Sequence, residues 1–201
     1  MSFAGRLRDD AAMTDNAAMR ESKTDQAGRF FWRMPSPVGP LLLVGGDDCL
    51  REISFPTGRG ARQPRPGWIE NRAAFGETIR QIDAYFAGGL TRFDLPLAPQ
   101  GDAFQQAVWA QLLAIPYGET ATYGEVAVAI GQPVAASRAV GVACGQNPLP
   151  VVIACHRVVG AGGALVGFGG GLETKKHLLD LEFRVRPPSG TLFAAASGGR
   201  Q

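Results

Sequence analysis

Histidine is scarce in this 201-residue chain, which has two, and cysteine is nearly as rare, with three. The thiols at Cys49, Cys144 and Cys155 are odd in number and scattered. They form no disulfide framework and suit a reducing compartment, where a thiol stays available for chemistry. No C-x-x-C or H-x-x-x-H spacing occurs, so neither a metal site nor any other cofactor is expected. No apolar run approaches the roughly 18 residues that cross a bilayer. The polar start, 1–28, lacks the apolar core of a secretory signal. The chain therefore reads as soluble and cytoplasmic, with no membrane partner. One-sided charge is missing too: 20 Lys and Arg against 18 Asp and Glu leave +2, too little to announce a nucleic-acid partner. The glycine-rich stretch 160–171 contains no G-x-x-x-x-G-K-[ST], and no strand-to-helix turn carries G-x-G-x-x-G, which excludes nucleotide binding.

What remains is a chain able to bury a real core, 45% hydrophobic, with structure expected over 29–185 between a flexible leader (1–28) and a disordered tail (186–201). Order begins at Arg29-Phe30-Phe31-Trp32. Turns at Ser36-Pro37-Val38-Gly39 and Gly45-Gly46-Asp47-Asp48 separate apolar runs into an antiparallel meander. A Gly/Pro/Arg-rich loop, 57–67, follows. Ile79, Ile82 and Phe86 recur at helical spacing, predicting a helix over 77–86. Alternating Phe93, Leu95 and Leu97 predict one more strand before a linker at 98–101. These elements make a small amino-terminal α/β domain, 29–98.

The second domain, 101–185, is mostly helical. Phe104, Val108, Leu112 and Ile115 form one helical stripe. Thr122 can cap a helix running from Tyr123 to Ile130, with Gly131 as its stop. Pro133 suits the first turn of the next helix, which runs to about Gly145. Two short helices across a tight turn fit either a helix-turn-helix or an ordinary helical hairpin. In the second helix Ala135, Ala136, Ser137, Ala139, Gly141, Ala143 and Gly145 leave Arg138 as the only long polar side chain. Such a surface packs closely on another helix, or enters a partner with one arginine. Phe168 is the only aromatic of the glycine-rich segment, which reads as a mobile loop closing over a pocket. A last helix, from Leu172 to Glu182, turns Leu178 and Leu179 inward. Glu182 shares their face, so it is either buried with a partner or sits at a fraying end.

Chemistry concentrates at Val151-Val152-Ile153-Ala154-Cys155-His156-Arg157-Val158-Val159, where the apolar run reads as a buried strand that gives a rigid base to the residues at its end. Neighbouring residues of a regular strand point to opposite faces, so Cys155 and His156 cooperate only if the backbone turns there. An ionised thiol is a strong nucleophile, and a neighbouring base or cation favours its ionisation. Cys155, His156 and an inward Glu182 supply nucleophile, base and orienter. Cys49 and Cys144 read as small core residues, and His177 as a solvated helix residue.

Several segments in order, Phe104-Gln105-Gln106-Ala107-Val108-Trp109, Ile115-Pro116-Tyr117-Gly118-Glu119-Thr120, Thr122-Tyr123-Gly124-Glu125, Arg138-Ala139-Val140-Gly141, Asn147-Pro148, Cys155-His156-Arg157-Val158 and Leu178-Leu179-Asp180-Leu181-Glu182, resemble the O6-alkylguanine-DNA alkyltransferase family. Ser36-Pro37-Val38-Gly39-Pro40-Leu41 resembles its opening hairpin. The resemblance implies an α+β protein with a ribonuclease-H-like amino-terminal domain and a winged-helix-like domain carrying a helix-turn-helix. It also implies single-turnover, irreversible repair by a monomer acting on double-stranded DNA. The alkyl group passes from O6 of guanine, and O4 of thymine, to the protein's own cysteine. Carried over residue by residue, Cys155 is the acceptor, His156 acts through a water, and Glu182 orients His156. Tyr123 contacts the phosphate backbone and donates a proton to the departing guanine. Asn147 braces the active-site turn. Arg138 fills the gap left by the flipped base, with Thr122, Ala135 and Ala139 also facing DNA, while Pro150, Val158, Phe168 and Lys175 line the substrate pocket. A helix of small residues with one arginine suits minor-groove entry better than sequence reading, and extruding a base costs a few kcal/mol, less for a damaged pair.

The chain departs from the family pattern at Ala154, where proline is usual. Alanine restores an N–H and loosens the unfolded chain, worth about 0.4–1 kcal/mol where proline fits. The interval from Pro133 to Arg138 is one residue longer than usual, which shifts or bulges that helix start. Phe168 replaces a tyrosine or tryptophan and precedes Gly169 rather than a hydroxyl residue. The amino-terminal zinc site of some relatives has no histidine here to build it. Two other readings compete. A non-repairing lesion sensor would lack Cys155. A cysteine hydrolase would turn over and would have no use for a helix-turn-helix.

Overall fold

The computed structural model describes residues 29–46 and 48–187. The leader, most of the tail and Asp47 of the second turn lie outside the described residues. Strands β1 (Phe30–Met34), β2 (Leu41–Gly45) and β3 (Leu50–Ser54) form the expected meander. β2 is buried along its whole length, as an apolar central strand should be. A short β4 (Ile69–Glu70) adds in parallel to β1, giving the order β3-β2-β1-β4. Two exposed residues carry no periodicity, so this strand has no signature in the sequence. The strand expected over 93–97 does not form. Gln81 holds Asp94 through both its backbone N–H and its carbonyl, and Pro96 has no N–H to enter a ladder. Only an isolated parallel bridge, Leu50 to Leu97, survives.

Helix α1 (Gly76–Phe86) packs under the sheet, and α2 (Ala103–Ala114) starts at an Asp102/Gln105 capping box. Thr122 and Glu125 form a second capping box at α3 (Tyr123–Ala129), which Gly131 ends at φ +74°. A 3₁₀ turn, Val134–Ala136, then leads into α4 (Ser137–Gly145). The lengthened interval before Arg138 is accommodated by that turn. The α3 axis and the Val134–Gly145 segment cross at 120°, the geometry of a helix-turn-helix. Strands β5 (Ala121–Thr122) and β6 (Val158–Val159) pair in parallel and tie the start of α3 to the end of the active-site turn. Helix α5 (Leu172–Val185) closes the described chain.

A single buried cluster runs from Met34 and Leu41 through Ile82 and Tyr85 to Val108, Ile153 and Leu178. It crosses the 98–101 linker, and Ile53 N–H donates to Pro148 O (2.8 Å). Each such side chain contributes about 1.5–3 kcal/mol on burial, so the amino-terminal half helps to hold the active-site turn in place. No single described helix is long and apolar enough to cross a membrane.

Candidate active site

The apolar run before Cys155 is not the strand expected from sequence. Pro150–Ile153 turn instead, and Val151 sits at φ +76°, the only non-glycine residue with positive φ among the described residues. A β-branched residue there is strained by about 1–3 kcal/mol and persists only where its surroundings fix it. Asn147 supplies that restraint: its Nδ2 donates to Ile153 O (2.8 Å), and its Oδ1 accepts from Leu149 N–H (2.9 Å). Cys155 N–H then donates to Ile153 O (2.7 Å) across Ala154, whose φ −74° and ψ 59° mark an inverse γ-turn. Cys155, His156 and Arg157 form one turn of 3₁₀ helix, so the thiol and the imidazole leave a tight coil rather than opposite faces of a strand.

Behind the turn lies a dry polar cluster. Glu182 is fully buried, which decides its role against helix fraying. Its Oε1 lies 2.7 Å from His156 Nε2 and accepts from Tyr85 Oη (2.8 Å) and Arg157 Nη2 (3.0 Å). Its Oε2 accepts from Arg157 Nε (2.9 Å) and Gly118 N–H (3.0 Å). Arg157 Nη1 donates to Ile115 O (2.6 Å). Burial alone would raise the Glu182 carboxyl, but the charges and hydrogen bonds of His156 and Arg157 outweigh it and hold the group at about 2. With a carboxylate on Nε2, that nitrogen carries the ring proton, and Nδ1 keeps its lone pair. Nδ1 is buried and hydrogen-bonds to no described protein group. Burial lowers the His156 pKa, against the opposing pull of Glu182. A neutral imidazole with one unused basic nitrogen therefore adjoins the cysteine.

Burial pushes the Cys155 thiol up to about 11, although the Asn147 hydrogen bond and the Lys175 charge act in the other direction. The thiol thus rests protonated at neutral pH and needs a base at the moment of reaction. Tyr123, half-buried, is raised by burial and by the two thiols to about 12 and stays a proton donor.

Cys155 opens on a cavity of about 660 Å³. Thr122 with Tyr123 and Gly124 of α3, and Ser137, Arg138 and Gly141 of α4, form one wall, and Val166 to Gly169 form another. Phe168 belongs to the second wall and packs on Phe55 (5.4 Å between centroids). Three residues expected to line the pocket do not. Pro150, within the turn, and Val158, at the start of β6, are buried and not part of the cavity lining. Lys175, on α5, is fully buried, and its Nζ donates to Val158 O (2.6 Å) and Val166 O (2.9 Å). It ties the loop wall to β6 instead of facing a ligand. Cys144, read as an ordinary core residue, is part of the cavity wall. His177 is half-buried, and Cys49 is half-buried too.

Ala143 is small because it is buried in the core, but the exposed small residues of α4 and of the turn before it are not explained by packing among the described residues. Ala135 and Ala139 are exposed. A Cβ on Gly141 would make only ordinary contact with the Tyr123 ring at 3.7 Å, and one on Gly145 would meet nothing. The surface beside exposed Arg138 is open, which favours a partner over a neighbouring helix.

Sequence reasoning missed Tyr85, which reaches Glu182 across the whole of the second half, and gave Arg157 no role beyond that of a nearby cation. Tyr85 lies on the buried stripe of α1, indistinguishable there from a core aromatic.

Comparison with known proteins covers both halves. Residues 103–184 match the family model described as the DNA binding domain of 6-O-methylguanine DNA methyltransferase, and residues 33–99 match its ribonuclease-like domain. The methylated-DNA–protein-cysteine methyltransferase of Mycolicibacterium paratuberculosis is 51% identical over 158 residues, 79% of this chain and 94% of that protein. The protein of the same name from Methanosarcina acetivorans is 50% identical over 147 residues, 73% of this chain and 94% of that protein. Among solved structures, Mycobacterium tuberculosis OGT in complex with DNA is similar at 45% identity and a TM-score of 0.73, covering 79% of this chain and 95% of that one.

Proposed function

The chain belongs to the 6-O-methylguanine DNA methyltransferase family, and from that premise we propose that Cys155 is the residue onto which it draws the alkyl group. The protein repairs DNA by direct reversal, moving the alkyl group from an alkylated base to a cysteine and consuming itself. The carrying observation is a buried thiol that opens on the cavity beside the helix-turn-helix, next to an imidazole whose Nδ1 hydrogen-bonds to no described protein group.

The base enters the cavity extruded from the duplex, since its O6 is unreachable within the stack. Arg138, Thr122, Ala135 and Ala139 lie on the surface of the helix-turn-helix that meets DNA, with Arg138 filling the vacated place in the stack. His156 Nδ1 takes the Cys155 proton through a bridging water. Glu182 holds the imidazole in the required tautomer, stabilises its cationic form, and acts as a positioning residue. The sulfur attacks the alkyl carbon as the carbon–O6 bond breaks, and the bonding pair stays on the guanine. Tyr123 donates a proton to that anion, a role suited to a phenol protonated at neutral pH. Asn147 keeps the strained turn in register. The product is a neutral thioether with no base able to regenerate it, which accounts for one transfer per molecule. The same steps apply to O4 of thymine. We place this chemistry in the cytoplasm and assign it to a monomer.

The test is to incubate the protein with a duplex carrying O6-methylguanine and to weigh it intact. One added methyl, located on the peptide containing Cys155 and absent from Cys155→Ser, is the expected result. Cys144 does not substitute, because burial and the neighbouring Cys155 raise its pKa still further. Binding without modification would make the protein a lesion sensor, and ester turnover without DNA would make it a hydrolase.

A further inference from the structure

Among the described residues the amino-terminal half contributes one to the cavity, Arg59, from the Gly/Pro/Arg-rich loop 57–67. The loop is built to present it. Ser54, buried at the end of β3, donates through Oγ to Gly60 O (2.7 Å) and accepts from Arg62 N–H (2.8 Å). Gly60 N–H donates to Gly169 O (3.2 Å) on the far cavity wall. Gly58 stands at φ +91°, and a Cβ there would lie 2.2 Å from Gly169 O, so only glycine lets the two loops approach this closely. The Phe55–Phe168 contact closes the same junction.

Three arginines follow one another in this loop with different fates. Arg62 pairs with Glu52 (2.6 Å), and Arg65 lies over the Trp68 ring (5.7 Å). Arg59, exposed at the cavity, has no hydrogen bond, ion pair or ring contact among the described residues. Among the described residues the cavity lining contains two arginines, Arg59 and Arg138, and no aspartate or glutamate. An uncompensated pair of guanidinium groups from opposite halves of the chain marks a site for an anion, and guanidinium forks match phosphate geometry.

We propose that Arg59 is a phosphate clamp, holding a backbone phosphate of the strand from which the alkylated nucleotide is extruded, across the cavity from Arg138. The role rests on the DNA-repair reading above. It makes the amino-terminal half part of the DNA interface rather than only a support for the active-site turn, and it helps hold the nucleotide after flipping.

The experiment measures Arg59→Ala and Arg59→Lys in two ways. Binding of a lesion-bearing duplex is followed against salt in a Cys155→Ser background, so the result does not depend on transfer. Losing one phosphate contact is expected to weaken binding several-fold and to lower the slope of log affinity against log salt by about 0.9, with Arg59→Lys keeping most of the slope. In the intact protein, the ratio of transfer from duplex to transfer from free O6-methylguanine base is expected to fall about tenfold in Arg59→Ala. Unchanged binding and slope would overturn the clamp. An equal loss with the free base would also overturn it, by placing Arg59 on the base instead of the backbone. A wild-type protein that binds duplex but transfers nothing would sink the repair reading and leave the salt result to judge the clamp.

Discussion

The two sides of Cys155 are built to opposite rules. Behind it, Glu182 accepts hydrogen bonds from Tyr85, Gly118 and twice from Arg157, and meets His156, all within a fully buried cluster. In front of it, Arg59 and Arg138 are exposed and have no partner among the described residues, and the wall between them is glycine, hydroxyl, thiol and apolar side chains, Phe168 among them. The buried side fixes a tautomer and a turn. The open side leaves its charges unsatisfied for whatever enters. A side chain saturated by its own protein serves chemistry common to every substrate, whereas an unsatisfied one serves recognition. Substitutions on the two sides should therefore differ in kind.

Arg157→Ala gives the largest expected effect and the clearest way to break this comparison. It removes two of the donors to Glu182 and leaves a buried carboxylate undercompensated, a loss of about 3–5 kcal/mol. That corresponds to a melting point lower by roughly 6–20 °C in a chain of this size. Transfer from DNA and from free base should fall together. Arg138→Ala should do the reverse, leaving stability within about 0.5 kcal/mol while transfer from duplex falls and transfer from free base does not. Calorimetry with both transfer assays decides it. If Arg138→Ala melted like Arg157→Ala, the division between the sides would be false.

How far sequence anticipated each side follows from the same contrast. Arg138 was legible because it was the only long side chain on a helix of small ones. Thr122 was legible as a helix cap and Glu182 from its place on an inward face. Tyr85 and Arg59 were not legible, because each acts from the amino-terminal half on a site whose motifs lie in the other. Tyr85 looks like core, and Arg59 looks like any arginine in a polar loop. Only the fold distinguishes it from Arg62 and Arg65, which carry the same charge a few residues away. The strand expected before Cys155 failed for a related reason. An apolar run of five to eight residues fits a buried strand and a buried turn equally well. The restraint that selects the turn comes from the Asn147 side chain, not from the run itself.

Acid should act on the buried side first, a smaller effect that sharpens the comparison. The folded-state pKa of His156 is lowered by burial, so below the ordinary imidazole value of about 6.5 the unfolded chain takes up a proton more readily than the native one. Stability therefore starts to fall as pH drops below about 6.5. Glu182, at about 2 when folded against 4.5 as its ordinary value, contributes stability that is intact above 4.5 and lost as pH falls through 2. Transfer needs neutral His156, so its acid limb should lie below the pH at which an exposed imidazole protonates. Melting curves at pH 7, 5 and 3, with a rate profile from pH 8 to 5, provide the check. A rate falling with a midpoint above 6.5 would mean that the pull of the Glu182 carboxylate on the imidazolium outweighs the burial of His156.

Ala154 lies where the two sides meet, and Ala154→Pro should have the smallest effect of all. Its φ of −74° is one that proline adopts without strain. Its N–H makes no hydrogen bond among the described residues, although the residue is buried. Proline would remove that unpaired donor and restrict the unfolded chain, a gain of about 0.4–1 kcal/mol and a rise in melting point of roughly 1–4 °C. Because the γ-turn is centred on this residue, the Cys155 N–H to Ile153 O bond should persist. Transfer should then be unchanged or modestly faster from both duplex and free base, the signature of the buried side. A lower melting point would mean that the ring collides with the strained Val151 turn behind it. A gain confined to duplex transfer would mean that Ala154 acts through the open side, and that the boundary between the two sides lies before Cys155 rather than at it.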